Sequence, residues 1–298
     1  MAMTGQQFTI SAGRHEATIV EVGAGLRRYA HGGVDVTCGY GKHVLPPKGC
    51  GAVLVPWPNR LRGGRYTFDS APQQLSLSEP AAGNAIHGLG RWVRWTPVRH
   101  AASEVSLALD VVPQTGYPFE LRVEVTYALD DDGLSVTTSA HNTGAGRAPF
   151  GAGFHPYLSV GGAALQDTVV TVPAATRLIV DDRQIPIGSE PVHGTPYDLR
   201  EARPLGALRM DDCFTDLASA DGRGRAEVRS PAGGAALWFD ETFGYLQAYT
   251  LEQFPGTVAP AIALEPMTCA PDAFNSGAGL NVLEAGATWT GSWGIAPL

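Results

Sequence analysis

A chain of 298 residues with 44% apolar and only 17% charged side chains can bury a large core, which excludes an intrinsically disordered polymer. Its net charge of -8 and pI near 5.4 argue against a protein that tracks a nucleic-acid backbone, because that needs clustered Lys and Arg to displace phosphate counterions. No window approaches the roughly 18 apolar residues of a membrane span, and residues 1–10 lack the basic and apolar regions of a secretion signal, so the expectation is a cytoplasmic protein with no membrane and no nucleic-acid partner.

Gly (37) and Pro (22) are spread along the whole chain and cut it into short runs with little room for helices. Residues 22–28 contain two glycines after a strand-like run but lack the third glycine and the helix of a dinucleotide fingerprint, so a hairpin turn is expected there. Cys38, Cys50, Cys213 and Cys269 are scattered, with no Cys-x-x-Cys pair and no His at zinc-ligand spacing, and read as reduced structural thiols. Residues 48–51, Lys-Gly-Cys-Gly, lack the Gly-Lys-Ser/Thr ending of a phosphate-binding loop. Period-two runs follow at 104–111, 121–127, 134–140, 167–172, 226–229, 235–240, 245–251, 261–264 and 287–294. The pair 121–127 and 134–140, joined through Asp130-Asp-Asp-Gly133, predicts a β-hairpin with an Asp-Gly turn. The acidic cluster in that turn lacks the alternating ligands of a calcium loop. Many short strands without long helical crossovers predict an all-β protein, one large antiparallel β-sandwich with very little helix, forming a single domain over residues 1–298.

Four segments set a charged or titratable residue where its neighbours would fix it. In Val55-Pro-Trp-Pro-Asn-Arg-Leu61 two prolines stiffen the chain beside an indole, the Asn59 amide and the Arg60 guanidinium, a combination suited to the C–H faces and hydroxyl rim of a sugar. The competing explanation is a loop anchored by Trp57 with a surface Arg60. His87 sits among glycines in Asn84-Ala-Ile-His-Gly-Leu-Gly-Arg-Trp92, where a ligand can approach the backbone closely, although a structural histidine fits the same pattern. In Phe154-His-Pro-Tyr157, Pro156 biases His155 toward an extended conformation and the two rings can exclude water, making His155 the stronger acid/base candidate. In residues 261–266 an apolar run ends on Glu265, with Pro266 expected to stop the ladder; a carboxylate there is costly unless it is paired or used. One carboxylate and one imidazole suffice to open and reclose a sugar ring, whereas glycoside hydrolysis needs two flanking carboxylates.

These segments resemble the aldose 1-epimerase (galactose mutarotase) family. Trp57-Pro-Asn-Arg60, Asn84-x-x-His-Gly88, Phe154-His-Pro-Tyr157, Asp211-Asp-Cys-Phe214, Leu264-Glu-Pro266 and Pro271-Asp-Ala-Phe-Asn275 follow that family's order over about residues 50–280. The resemblance implies a large antiparallel sandwich with a sugar cleft and no metal or other cofactor. It also implies catalytic roles for Glu265, as base at the C1 hydroxyl, and His155, as acid at the ring oxygen. His87, Arg60, Asn59 and Asp211 would bind the sugar, with Asp212 as the adjacent alternative to Asp211. The partner implied is a small-molecule sugar, and the protein is expected to be a monomer or weak homodimer. An ionised Glu265 and a protonated His155 would give a bell-shaped pH profile with limbs from those two groups.

Leu89 stands where the galactose-specific enzymes have a second Gly after His-Gly, so the chain looks more like the epimerase-like bacterial branch, and galactose itself is not implied. A non-catalytic sugar sensor on the same sandwich, or an epimerase for a modified or phosphorylated sugar with Arg91 and Arg94 as phosphate ligands, are the alternative readings.

Overall fold

The computed structural model describes residues 2–257 and 259–298. Two antiparallel sheets dominate it. Among the described residues, the larger sheet runs in the order Thr96–His100, Glu104–Val111, Leu121–Asp130, Gly133–Asn142, Thr288–Pro297, Gly233–Asp240, Arg223–Ser230, Val169–Thr171 and Arg203–Pro204, with Ser219–Ala220 added to its margin. The second runs Pro186–Pro191, Ala174–Val180, Asp211–Leu217, Tyr245–Leu251, Ala261–Met267, Gly153–Phe154 and Val53–Leu54, with Tyr157–Ser159 also on Ala261–Met267. Among the described residues helix is confined to one α-turn, Ala273–Ser276, and two short 3-10 turns. This is the all-β architecture expected from the sequence.

The core lies between these sheets because each strand turns one side inward. Leu121, Val123, Val125, Tyr127 and Leu129 are buried in strict alternation, and Phe154 of the second sheet packs on Trp293 of the first with ring centroids 5.0 Å apart. Ala261–Met267 is buried at every position, yet its two faces differ: Ile262 and Leu264 join the main core, while Ala261 and Ala263 pack outward with Cys50, Tyr157 and Phe254. Glu265 belongs by alternation to the outward set.

Several local expectations are corrected. In the 121–142 hairpin the register pairs Asp130 with Gly133, so the turn residues are Asp131 and Asp132, and Gly133 opens the next strand with φ 131°. Asp130 Oδ1 accepts the backbone N–H groups of Asp132 and Gly133, which supplies the turn without an Asp-Gly centre. Asp167 lies in a 3-10 turn, Leu165–Asp167, and the strand begins only at Val169. Pro266 does not stop the ladder: Ala261–Met267 pairs with Tyr245–Leu251 along its full length. Its other neighbour is interrupted instead. Gly153 pairs with Met267, pairing resumes at Tyr157 with Ala263, and the gap spans Phe154, His155 and Pro156, with Pro266 opposite Phe154. A residue with no N–H is tolerated beside a gap in the ladder.

Residues 51 and 88 hold the backbone close beneath the outward face. A side-chain carbon on Gly88 (φ +67°) would lie 2.0 Å from the Val55 carbonyl oxygen, and one on Gly51 (φ +69°) 1.9 Å from that of Leu26. Gly88→Ala is expected to destabilise the fold by about 2–4 kcal/mol, read as a shifted urea midpoint with unchanged slope. A loss below about 0.5 kcal/mol, the scale of ordinary surface substitutions, contradicts that close approach.

Candidate active site

The register of the second sheet creates a polar row on its outward face. Cys213 pairs with Gln247 and Gln247 with Glu265. The pairings on either side of the ladder gap, Gly153 with Met267 and Tyr157 with Ala263, share one register and place His155 directly opposite Glu265. Freed from that ladder, the His155 backbone bonds elsewhere: its N–H donates to Ala52 and its carbonyl accepts from Gly51. His155 Nε2 lies 3.4 Å from Glu265 Oε1, and both side chains are buried. Two residue pairs along, and so on the same face, Asp211 opposes Tyr249.

A second structure closes over this face. Arg60–Arg62 and Asn84–Ile86 form a two-stranded ribbon, with Arg60 opposite Ile86. At its end Asn59 (φ 52°) and His87 (φ 62°) both adopt the left-handed conformation, and the His87 N–H donates to the Asn59 carbonyl. Such a conformation is uncommon for non-glycine residues and costs on the order of 1–3 kcal/mol each. It turns both side chains toward the sheet: the His87 ring lies 5.7 Å from that of His155. The Asn59 amide donates to Gln247 Oε1 (3.3 Å), and Gln247 Nε2 donates to Asp211 Oδ1 (2.7 Å). Glu79 accepts both Arg60 Nε (2.9 Å) and Nη2 (3.0 Å), a bidentate pair that fixes the guanidinium plane. Lys48, in the 3-10 turn Pro47–Gly49, completes the rim, its carbonyl accepting the Tyr157 hydroxyl at 3.1 Å.

Glu265, His155, His87, Arg60, Asn59 and Asp211 thus surround one cavity of about 220 Å³, with Lys48, Glu79, Tyr157, Gln247 and Tyr249. Asp212, on the opposite side of its strand, is bonded to Arg177 Nη1 at 2.6 Å. Trp57 offers no ring face to the cavity; it is 2% exposed and packs against Tyr117 and Phe274. Phe154 does not shield His155 either, because alternation turns it inward onto Phe243 and Trp293, and Tyr157 alone stacks on the imidazole at 4.9 Å. Arg94 is held on the surface by Glu21 at 2.5 Å, and Arg91 lines a smaller recess formed with Gly49, Cys50 and Ala52.

Gln247, Tyr249 and Glu79 were not singled out from the sequence. Gln247 and Tyr249 carry a signal in retrospect, polar-tipped residues at i and i+2 that, with Tyr245, alternate with Leu246 and Ala248. Glu79 carries none, since only the folded ribbon brings it to Arg60.

Burial governs the charges. Desolvation raises the Glu265 carboxyl well above the ordinary range; nearby Asp211 reinforces this and Arg60 opposes it. Desolvation pulls the His155 imidazole down to about 3, with the nearby polar atoms of its own backbone opposing and Arg91 reinforcing. His87 is lowered by burial, by His155 and by Arg91 and Arg60. Asp211 is raised, chiefly by burial, against the pull of Arg60 and the Gln247 amide. The pair therefore rests with one proton between the two groups, favoured on the carboxyl, the reverse of the ionised Glu265 and protonated His155 expected from the sequence. Glu265 Oε2, His155 Nδ1 and His87 Nδ1 are buried and have no hydrogen-bond partner among the described residues, leaving three polar atoms for a ligand to satisfy.

A cavity that small, walled by buried carboxyl and imidazole groups and rimmed by planar donors and acceptors, suits one polyhydroxylated ring. Comparison with known proteins agrees: the family model described as aldose 1-epimerase matches residues 6–295. The chain belongs to the aldose 1-epimerase family. It is accordingly an isomerase. The uncharacterized protein YihR of Escherichia coli K12 is 32% identical over 287 residues, 96% of this chain and 91% of that one. Human galactose mutarotase is 32% identical over 223 residues, 70% of this chain but only 64% of the human protein. In fold, the chain is similar to an aldose epimerase homologue from C. elegans (TM-score 0.85, 19% identity, 98% of each chain). It is similar also to a putative aldose 1-epimerase from E. coli K12 (TM-score 0.82, 22% identity, 98% of this chain and 99% of that one). No helix among the described residues is long and apolar enough to cross a membrane.

The buried carboxyl has a thermodynamic signature. Because its folded pKa lies above the ordinary 4.5, its contribution to stability is present below that value and lost as pH rises toward the folded pKa. His155 acts in the opposite sense, its contribution being lost as pH falls from 6.5 toward about 3. Glu265→Gln should therefore gain stability relative to the wild type as pH rises above about 4.5, by about 1.4 kcal/mol per pH unit at most, in urea titrations at a series of pH values. A difference independent of pH would place the carboxyl in an ordinary solvated setting.

Proposed function

We propose that the enzyme interconverts the α and β anomers of a free aldose by acid/base ring opening and reclosure. The observation that carries this reading is the buried Glu265–His155 pair, opposed in register at 3.4 Å, within a cavity large enough for one sugar ring. Glu265 takes the proton of the C1 hydroxyl while His155 gives one to the ring oxygen. The bond between C1 and that oxygen breaks, leaving an open-chain aldehyde. Rotation about C1–C2 presents the other carbonyl face, the chain hydroxyl attacks it, and both protons return along the same paths.

Both catalytic groups need the proton on the imidazole, although burial places it on the carboxyl. A bound sugar supplies the bias. Hydroxyls donating to Glu265 Oε2 favour the carboxylate, so the proton passes to His155 across a contact already formed. His87 supports the ring, Arg60, held flat by Glu79, donates to hydroxyls, and Asp211 accepts from one. Asn59 orients Gln247 and thereby the Asp211 carboxylate.

Anomer exchange of freshly dissolved α-glucose, α-galactose and other aldoses, followed by polarimetry or NMR, tests the reading. Wild type should accelerate exchange, Glu265→Gln should lower kcat about 10²–10⁴-fold, and binding should be largely kept. Exchange retained in that variant removes Glu265 from the chemistry. The active species is the pair holding one proton, so kcat/KM should show a broad plateau across neutral pH. Its acid limb should lie well below the usual imidazole range and its alkaline limb above the usual carboxylate range. A sharp bell bounded near 4.5 and 6.5, the ordinary values of the two groups, contradicts the burial argument.

A further inference from the structure

Arg60 is held from farther away than the cavity it lines. Its ribbon pairs with neither large sheet, so the guanidinium takes its place from the side chains and loops around it. Glu79 grips it with both carboxylate oxygens, Oε2 on Nε and Oε1 on Nη2. Glu79 in turn stands at one end of a closed loop. Its N–H donates to the Asn84 carbonyl (3.0 Å) and the Asn84 N–H to the Glu79 carbonyl (3.2 Å), so residues 80–83 bulge out between the two.

Arg183 closes on that bulge from the second sheet. It lies in the turn between Ala174–Val180 and Pro186–Pro191, where Val180 pairs with Pro186. Asp181 Oδ1 accepts the N–H groups of Arg183 (2.9 Å) and Ile185 (3.0 Å), which fixes the turn from within. The Arg183 guanidinium then reaches across: Nε donates to the Ala82 carbonyl (2.8 Å), and Nη2 to the Gly83 carbonyl and to Asn84 Oδ1 (3.2 Å). None of these acceptors is a carboxylate. The approach is close, since a side-chain carbon on Gly83 (φ +66°) would lie 3.0 Å from Arg183 Nη2.

Asn84 is fully buried and links the two sides. A guanidinium only donates, so Arg183 fixes the Asn84 amide with Oδ1 toward itself. Nδ2 is left to donate, to the Arg183 carbonyl at 2.9 Å and to Glu79 Oε2 at 3.4 Å. Reversed, the amide would set Oδ1 against the Glu79 carboxylate and Nδ2 against the guanidinium, two repulsive contacts at a buried position.

We infer that Arg183, outside the cavity, is a positioning residue for substrate binding: through Asn84 and Glu79 it sets the plane in which Arg60 meets the hydroxyls of the sugar. The inference rests on the mutarotase reading for what Arg60 binds. Arg60 takes no part in the proton transfers, so a guanidinium set askew weakens ground state and transition state alike, and the loss falls on KM rather than kcat.

A double-variant cycle of wild type, Arg183→Ala, Glu79→Gln and the two combined tests this, on whichever of α-glucose and α-galactose the wild type exchanges. Arg183→Ala should raise KM about three- to tenfold, part of the tenfold or more that one hydrogen bond to a charged group is worth, with kcat within about twofold. In the Glu79→Gln background the same substitution should change KM less than about 1.5-fold, because the relay is already cut. A clamp that only holds the fold would act equally in both backgrounds, or lower kcat with KM unchanged, and either result overturns the inference. Arg183→Lys keeps a positive charge and most of the buried stem but not the planar fork, so it should show the KM rise even where Arg183→Ala fails to fold.

The Arg60 Nε–H resonance, assigned by its loss in Arg60→Lys, reads the same relay by NMR with no sugar present. Glu79→Gln and Arg183→Lys should both move it and speed its exchange with solvent. A wild type that exchanges neither aldose, with an Arg60 signal that responds to Arg183, retains the positioning and overturns the mutarotase. Exchange by the wild type with KM and the Arg60 signal both unchanged in the Arg183 variants overturns the positioning alone.

Discussion

Everything at the site depends on a carboxyl group kept out of water opposite an imidazole. Glu265 lies inside a strand buried along its whole length, so it has neither solvent nor a guanidinium in direct contact to balance a charge. The neighbouring strand satisfies that need by breaking its ladder where His155 falls, releasing the backbone of His155 to residues 51 and 52 and aligning its ring with the carboxyl. Two groups of opposite titration behaviour buried together share a proton more readily than either holds a full charge. The surrounding polar chain, from Asn59 through Gln247 to Asp211, stays neutral at its amides and sets orientation without adding a cation.

The sheet scaffold makes this arrangement rigid. Alternation sends Ile262 and Leu264 into the core and Glu265 outward, so the depth of the carboxyl is set by the packing of its own neighbours. Tyr157 stacks on His155 from the resumed strand and also holds the Lys48 carbonyl, coupling the ring's position to the rim. Asn59 and His87 hold uncommon backbone angles, as expected where the surrounding fold over-determines a local geometry.

Much of this was legible in the sequence. Glycine and proline frequency and period-two runs disclosed an all-β sandwich, and the 121–142 hairpin was visible to within its turn. The site segments were recognisable because His155 and Glu265 each precede a proline and His87 lies among glycines. What stayed hidden depended on pairing between distant strands. The effect of Pro266 could not be read because its ladder is defined by a gap in residues 154–156, more than a hundred positions away. Trp57 looked like a sugar platform because an indole beside two prolines has the same sequence signature whether it faces a ligand or Phe274. The choice between Asp211 and Asp212 needed the parity of one strand. Glu79 reaches Arg60 only through a ribbon joined to neither large sheet.

That separation of ribbon from sheet divides labour within the molecule. Glu265 stands on a strand buried along its whole length and His155 in the break of the strand beside it, whereas Arg60 and Glu79 stand on or beside a two-stranded ribbon that joins neither large sheet. The guanidinium that would meet sugar hydroxyls and the pair that would move protons thus belong to separately hydrogen-bonded pieces of the fold. The fold is in this sense modular at the scale of a single pocket, with its floor on one large sheet and part of its roof on a ribbon of its own.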